Sequence, residues 1–330
     1  MCKILFLARP DLFRIRAGDT VQIKSIKKHL EGIGVNVDIS LDLRPDLHGV
    51  DLVHCFNILR IETMAVQVEN IVKKKLPLII TPIYWNMSEY LSVFKPDKLK
   101  NWAEKQILRG EILNCADLIL PNAYQEWDLL KKDFALEKPF SVVFNGVDEF
   151  FYIKQNTGIR HGILSVGRIH SRKNQLALIR ALKDTEIPLT FVGDNNDPAY
   201  YKECLAAASA NPNIRFYGGV EEKELLSFYK YYKVHVLASW YDTPGLVNLE
   251  AGLAGCKLVT TEKGTAREYL QDLAFYCNPA DHEDIRNKVL AAYNAPVSDK
   301  LSIHILNNFT WSRIVKSLKK IYSLFLSQYI

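Results

Sequence analysis

Two carboxylates, Asp242 and Glu250, flank the run Thr243-Pro244-Gly245-Leu246-Val247-Asn248-Leu249, and an apolar strand pattern from Val234 to Ala238 precedes them. Thr243 is a good N-cap and Pro244 suits the first helical position, so a helix is expected from Pro244 to Ala254, ending at Gly255. The N–H groups of Gly245, Leu246 and Val247 would then point out of its N-terminus, where anionic or hydroxyl-bearing ligands are favoured. Asp242 would sit in the loop before this helix and Glu250 about two turns along it. A second cluster, Gly167-Arg168-Ile169-His170-Ser171-Arg172-Lys173-Asn174, follows the apolar run Ile163–Val166 and opens another helix pattern. Two fixed cations at a helix start suit a diphosphate, Arg168 through a bidentate fork and Lys173 as a point charge. Each stretch taken alone also fits a plainer reading: a capped core helix with incidental carboxylates, and a solvated charge run.

Together these residues resemble the landmarks of the retaining glycosyltransferases of the GT-B fold, family 4 type, also called group 1 glycosyltransferases. Asp242 to Glu250 resembles that family's Glu-x7-Glu signature, with Asp242 in place of the first Glu. Gly167 to Asn174 resembles its Gly-Arg-Leu-x-x-x-Lys-Gly, with Ile169 for Leu and Asn174 for Gly. Phe191–Asp194, Phe216–Val220, Thr261–Glu268 and Phe309–Trp311 match further landmarks in the same order. The resemblance implies that Arg168 and Lys173 hold a donor diphosphate, that Glu250 accepts from ribose hydroxyls and that Asp242 contacts the donor hexose. It also implies that Gly18, Gly167, Val220, Gly245, Leu246 and Val247 line the donor site, Val220 near the base. Two departures stand out. Asp19 replaces the second glycine of the family's first loop, and Ile83 replaces its histidine in Thr81-Pro82-Ile83, where Tyr84, Trp85 or Asn86 are candidate substitutes.

Elements able to position these residues alternate along the chain. Strand patterns at Ile4–Ala8, Val35–Ile39, Asp51–Cys55, Leu76–Thr81 and Asp117–Leu120 interleave with helical ones at Val21–Leu30, Asn101–Cys115 and Glu126–Phe134. After a linker from about Asp148 to His161, the alternation resumes from Ile163 to Tyr293. This order predicts an α/β protein with parallel sheets wrapped by helices. The GT-B resemblance sharpens that to two Rossmann-like doubly wound domains, 1–155 on the acceptor side and 156–310 on the donor side, facing a central cleft. A C-terminal helix, 311–330, is expected to pack back on the first domain.

The implied activity is that of a hexosyltransferase moving a sugar from a nucleotide diphosphate sugar (UDP-, GDP- or ADP-linked) to an acceptor hydroxyl, with retention. The donor is a co-substrate, and no resident cofactor or metal is expected, since no Asp-x-Asp pattern is evident. The acceptor is open, glycan and lipid-linked saccharide included. A nucleotide-sugar epimerase of the same fold and a non-catalytic nucleotide-sugar binder or scaffold are the alternatives. No Gly-x-Gly-x-x-Gly follows the first strand, which argues against a nicotinamide dehydrogenase.

Composition narrows the rest. In 330 residues the net charge is +5, spread over both halves, without the strong local field of a nucleic-acid binder. The 6 cysteines show no metal or disulfide spacing, which suits a reducing cytoplasm. No apolar run reaches the ~18–20 residues of a membrane span. Aromatics and lysines do interleave from Tyr84 to Arg109, so weak peripheral contact at the inner membrane face stays open beside a solvated helix or acceptor-side loop.

Overall fold

The computed structural model describes residues 2–15, 17–154 and 158–329. Its chain divides into two compact units, Met1–Gly146 with Trp311–Ile330, and Val147–Thr310.

The first unit carries β1 (Lys3–Leu7), α1 (Gly18–Glu31), β2 (Asn36–Ser40), β3 (Leu52–Phe56), α2 (Ile61–Lys73), β4 (Leu78–Thr81), α3 (Ser88–Phe94), α4 (Leu99–Cys115), β5 (Leu118–Ile119) and α5 (Tyr124–Phe134). Its strands are parallel, in the order β2-β1-β3-β4-β5. Every residue of β3 and β4 is buried, the near-continuous apolar run of a sheet covered on both faces.

The second unit carries β6 (His161–Val166), α6 (Gln175–Leu182), β7 (Leu189–Val192), α7 (Pro198–Ala208), β8 (Ile214–Tyr217), α8 (Glu222–Tyr231), β9 (Tyr232–Leu237), α9 (Leu246–Leu253), β10 (Lys257–Thr261), α10 (Ala266–Leu270), β11 (Phe275–Cys277), α11 (His282–Asn294) and α12 (Lys300–Asn308). Its parallel sheet runs β11-β10-β9-β6-β7-β8. Ile163, Phe191, Val234 and Val259 from the sheet pack with Leu178 and Ile285 from the helices in one core.

The last helix, α13 (Trp311–Leu326), belongs to the first unit. It buries Trp311, Ile314, Val315, Leu318, Tyr322 and Phe325, a stripe at helical spacing. Tyr322 meets His54 of β3 at 2.6 Å, and Lys319 donates to the Ile33 carbonyl at 2.8 Å. A side chain at Gly146 would come within 2.7 Å of the Trp311 indole, so glycine lets the backbone lie against that ring.

The boundary expected at 155/156 lies outside the described residues, and the second unit begins earlier, at Val147. Val147 N–H donates to the Phe309 carbonyl at 2.8 Å, and Phe151 packs edge-on against Tyr229 at 5.8 Å. Those contacts tie the segment to the second core. The structure also adds α2, α3, α10, β11 and α12, for which the sequence pattern predicts no element.

Candidate functional site

In a doubly wound sheet, ligands bind beyond the carboxyl ends of strands where the strand order reverses. In the second unit that point lies between β6 and β9. From β6 the chain runs on through Gly167 and Lys173 into α6, and from β9 through Ser239 and Asp242 into α9. The two motif stretches are thereby brought together although 69 positions separate Lys173 from Asp242.

Their local geometry depends on a few residues in left-handed or glycine-only conformations. Gly167 leaves β6 at φ 148°, and Gly193, at φ 149° beyond β7, lies so close that a Cβ there would stand 2.2 Å from the Gly167 carbonyl. Asn174 adopts φ 62°, ψ 30° ahead of α6, a conformation asparagine tolerates better than most residues. Its Nδ2 donates to the carbonyls of Ala238 at 3.0 Å and Pro279 at 2.8 Å, joining the loops after β9 and β11.

The expected cap of α9 is corrected. The helix begins at Leu246, not Pro244, and ends at Leu253; Gly245, not Thr243, is its N-cap. Gly245 has φ 81°, and any Cβ would collide with Leu237 at 2.6 Å, so only glycine makes this turn. Leu246 and Val247 then open the helix with N–H groups that lack intrahelical partners.

Lys173 and Asp242 form an ion pair at 2.7 Å, their side chains 14% and 10% exposed. Ser239 Oγ donates to the same carboxylate oxygen. Burial pushes the Asp242 pKa up, but the Lys173 and Arg172 charges and the hydrogen bonds from Lys173 and Ser239 outweigh it and leave the carboxyl below its usual range. Lys173 is lowered, first by burial and then by repulsion from Arg172 and Arg168, with Asp242 opposing. Two cations thus act on one carboxylate, and a third, Arg168, acts on Lys173. The main chain of Asp242 is fixed from the other side by Thr265 N–H, 3.1 Å from its carbonyl, where Gly264 leaves no room for a Cβ.

Glu250 lies on α9, and Tyr229 Oη donates to its Oε2 at 2.9 Å. Burial drives the Glu250 pKa up to about 7; the Tyr229 hydrogen bond opposes the rise and Glu222 adds to it. Val220 follows β8 beside Gly219, whose N–H donates to Asp194 Oδ1 at 3.1 Å.

Gly18 belongs to the other unit, where it is the first residue of α1. The switch point of that unit lies between β1 and β3. Arg9 there binds Asp19 through Nε at 2.9 Å and Asp11 through Nη1 at 2.6 Å, and Asn57, beyond β3, donates to Asp19 at 2.8 Å. Asp19, in place of the expected glycine, anchors a buried internal network. Arg16 of the same loop lies outside the described residues. Ile83 takes φ 50°, a strained conformation for a β-branched residue, while the Tyr84 N–H donates to the buried Glu126 at 2.6 Å. Tyr84 and Asn86, candidates to replace the absent histidine, both donate to Asp133.

Comparison with known proteins bears on the family and the fold. Residues 153–303 match the model of the family described as glycosyl transferases group 1. The second unit is a group 1 glycosyltransferase domain. The whole chain has the GT-B fold, as its similarity to solved structures shows. A sucrose-phosphate synthase from Thermosynechococcus elongatus matches with a TM-score of 0.85 at 14% identity, covering 99% of this chain and 100% of that one. Anabaena HepE in complex with UDP matches with a TM-score of 0.76 at 15% identity, over 98% and 100% of the two chains. The apo lipopolysaccharide outer core galactosyltransferase WaaB matches with a TM-score of 0.69 at 14% identity, over 97% and 99%. No curated protein matches the chain significantly.

Three participants in this glycosyltransferase domain escaped the sequence reading. Arg172 lies inside the Gly167–Asn174 motif and Ser239 just before Asp242, yet neither carries an expected role; a hydroxyl three residues before Asp242 was the available signal. Tyr229 is 21 positions from Glu250 and left no signal at all. Among the described residues, no group of three or more His, Cys, Asp or Glu is placed to hold a metal ion, and no helix is long and apolar enough to cross a membrane.

Proposed function

We propose that the protein transfers a hexosyl group from a nucleotide diphosphate sugar to an acceptor hydroxyl. The observation that carries this reading is the convergence of Lys173, Arg172 and Arg168 with the N-terminus of α9 at the β6/β9 switch point of a group 1 glycosyltransferase domain. A diphosphate would lie against Arg168, Lys173 and the N–H groups of Leu246 and Val247, with Gly167 and Gly245 allowing close backbone approach. As the bond from the anomeric carbon to the diphosphate oxygen breaks, negative charge grows on the leaving group. Fixed cations and N–H dipoles stabilise that charge more than the ground state, which lowers the barrier. Glu250 would accept from the ribose hydroxyls, and Val220 would flank the base.

Asp242 pairs with Lys173 at 2.7 Å. On donor binding the ammonium would turn to phosphate and the carboxylate to a hexose hydroxyl, so each replaces a partner in the other's absence. The acceptor oxygen would then bond to the anomeric carbon on the face from which the diphosphate departs, the retention that the family resemblance implies, and pass its proton to the departing diphosphate oxygen. HepE in complex with UDP, a structure of the same fold, supports a nucleoside diphosphate as the shared part of the donor. An acceptor built from glycan or lipid-linked saccharide belongs to the same reading.

A thermal-shift panel with UDP, GDP and ADP tests it. The correct nucleotide at a hundredfold excess over Kd adds about 2.7 kcal/mol to the stability of the wild type. Arg168→Ala/Lys173→Ala is expected to lose that response to every nucleotide. Absence of a response in the wild type would sink the proposal.

A further inference from the structure

Glu250 is held by one neighbour, and that neighbour is immobile. Tyr229, in the last turn of α8, is wholly buried. Phe151 and His235 meet its ring edge-on at 5.8 and 6.1 Å. Its carbonyl accepts from Arg160 Nη1 at 2.6 Å and from Cys256 Sγ at 3.2 Å, which pins the end of α8 to the segment just after α9. With ring and backbone both fixed, the hydroxyl cannot follow the carboxylate; the carboxylate must come to the hydroxyl. It does so through Oε2 at 2.9 Å, and Oε1 carries no hydrogen bond to any described residue.

We propose that Tyr229 is the positioning residue for Glu250, locking Oε2 in place so that Oε1 is presented to the donor's ribose hydroxyls. This rests on the donor reading given above. The same hydrogen bond favours the ionised carboxylate, the form that accepts from two hydroxyls, against the burial that favours the neutral acid. The groups that act on the Glu250 carboxyl are Tyr229 and Glu222 of α8; Glu149, Lys233, His235, Lys257, Lys300 and His304 are other charged or titratable groups on the turn, strands and helix packed against α9.

The decisive variant is Tyr229→Phe, which keeps the ring between Phe151 and His235 and removes only the hydroxyl. Carbon-13 NMR of Glu-labelled protein reads the Glu250 carboxyl directly, with Glu250→Gln assigning the signal. The wild-type midpoint is expected near 7 and that of Tyr229→Phe about one pH unit higher. A site-specific 3-fluorotyrosine at position 229, a stronger donor of nearly the same shape, moves it the opposite way. At pH 7 the moved midpoint alone lowers the nucleoside diphosphate affinity of Tyr229→Phe about fivefold; that part is recovered by pH 9, where both carboxyls are ionised, and the part due to lost positioning remains. An unmoved midpoint, or an affinity equal to that of the wild type at pH 7, overturns the proposal. A moved midpoint in protein that binds no nucleoside diphosphate sinks the donor reading instead and leaves Tyr229 only as the partner of Glu250.

Discussion

Each unit has a switch point in its parallel sheet, and each fills it with a buried cation–carboxylate pair. The two differ in which member of the pair is shared. In the first, Arg9 is shared by two carboxylates, Asp19 and Asp11, and also donates to Thr20 Oγ1 and the Ile15 carbonyl. In the second, Asp242 is shared among Lys173, Arg172 and Ser239, with Arg168 close enough to act on Lys173. The first gathers carboxylates on one cation. The second gathers cations on one carboxylate, an arrangement that suits a bound anion. One topology thus yields a structural knot in one unit and a candidate anion site in the other, and the sign of the gathered charge marks the difference.

The largest expected effects break the two pairs separately. Arg9→Ala leaves Asp19 buried at 5% exposure without its cation, at a cost of about 3–5 kcal/mol measured by urea unfolding. Nucleotide affinity of the folded protein is expected to stay unchanged. Lys173→Ala does the reverse in binding, lowering nucleoside diphosphate affinity about 100-fold by calorimetry, since charge-assisted hydrogen bonds contribute about 1.5–3 kcal/mol each. Equal binding losses in the two variants would erase the contrast.

The pH dependence of stability sharpens it with opposite signs. Glu250 has a folded pKa of about 7 against an ordinary 4.5, so the native state holds its proton longer and the penalty grows as pH rises through that window. Glu250→Gln is therefore expected to stabilise the protein by about 2 kcal/mol at pH 8, after allowing for the solvent exposure the side chain keeps, and by nothing near pH 4. Asp19 is the opposite case. Burial raises its pKa, but Arg9, Asn57 and the Thr20 N–H more than reverse that, so its stabilisation is present above its ordinary 3.8 and disappears as pH falls through the lowered value. Asp19→Asn should accordingly destabilise at pH 7 and converge on the wild type in acid. Denaturation curves across pH 3–9 separate the two behaviours.

The smallest effect concerns the asparagines that link strand ends at the two points. Asn57 at φ 77° holds Asp19, and Asn174 at φ 62° holds the carbonyls of Ala238 and Pro279. Glycine adopts these angles more easily but donates nothing. Asn174→Gly is expected to lose about 1 kcal/mol of stability with unchanged nucleotide affinity, a difference resolvable by thermal unfolding. A gain in stability would show that the asparagine is tolerated rather than used.

Much of the fold was legible because parallel strands are apolar runs bounded by turns, as in Ile163–Val166 and Leu189–Val192. Helix α2 was missed despite its buried Ile61, Met64, Val68 and Ile71, a stripe at helical spacing that the reading passed over. The cap of α9 was misplaced because Thr243 and Pro244 obey local helix-start rules, whereas the close approach of Leu237 forces the turn onto Gly245. Local propensity yielded to packing.

Short-range pattern therefore determined which residue types stand at the strand ends: Gly167, Arg168 and Lys173 after one strand, Asp242 and Glu250 after another. Spacing along the chain carries that information, since helix and strand periods are local properties. Only the tertiary structure decided that Lys173 meets Asp242, that Asp19 answers Arg9 rather than a ligand, and that Tyr229 holds Glu250. Those pairings depend on strand order and burial, which join residues far apart in sequence and set the charge each one keeps.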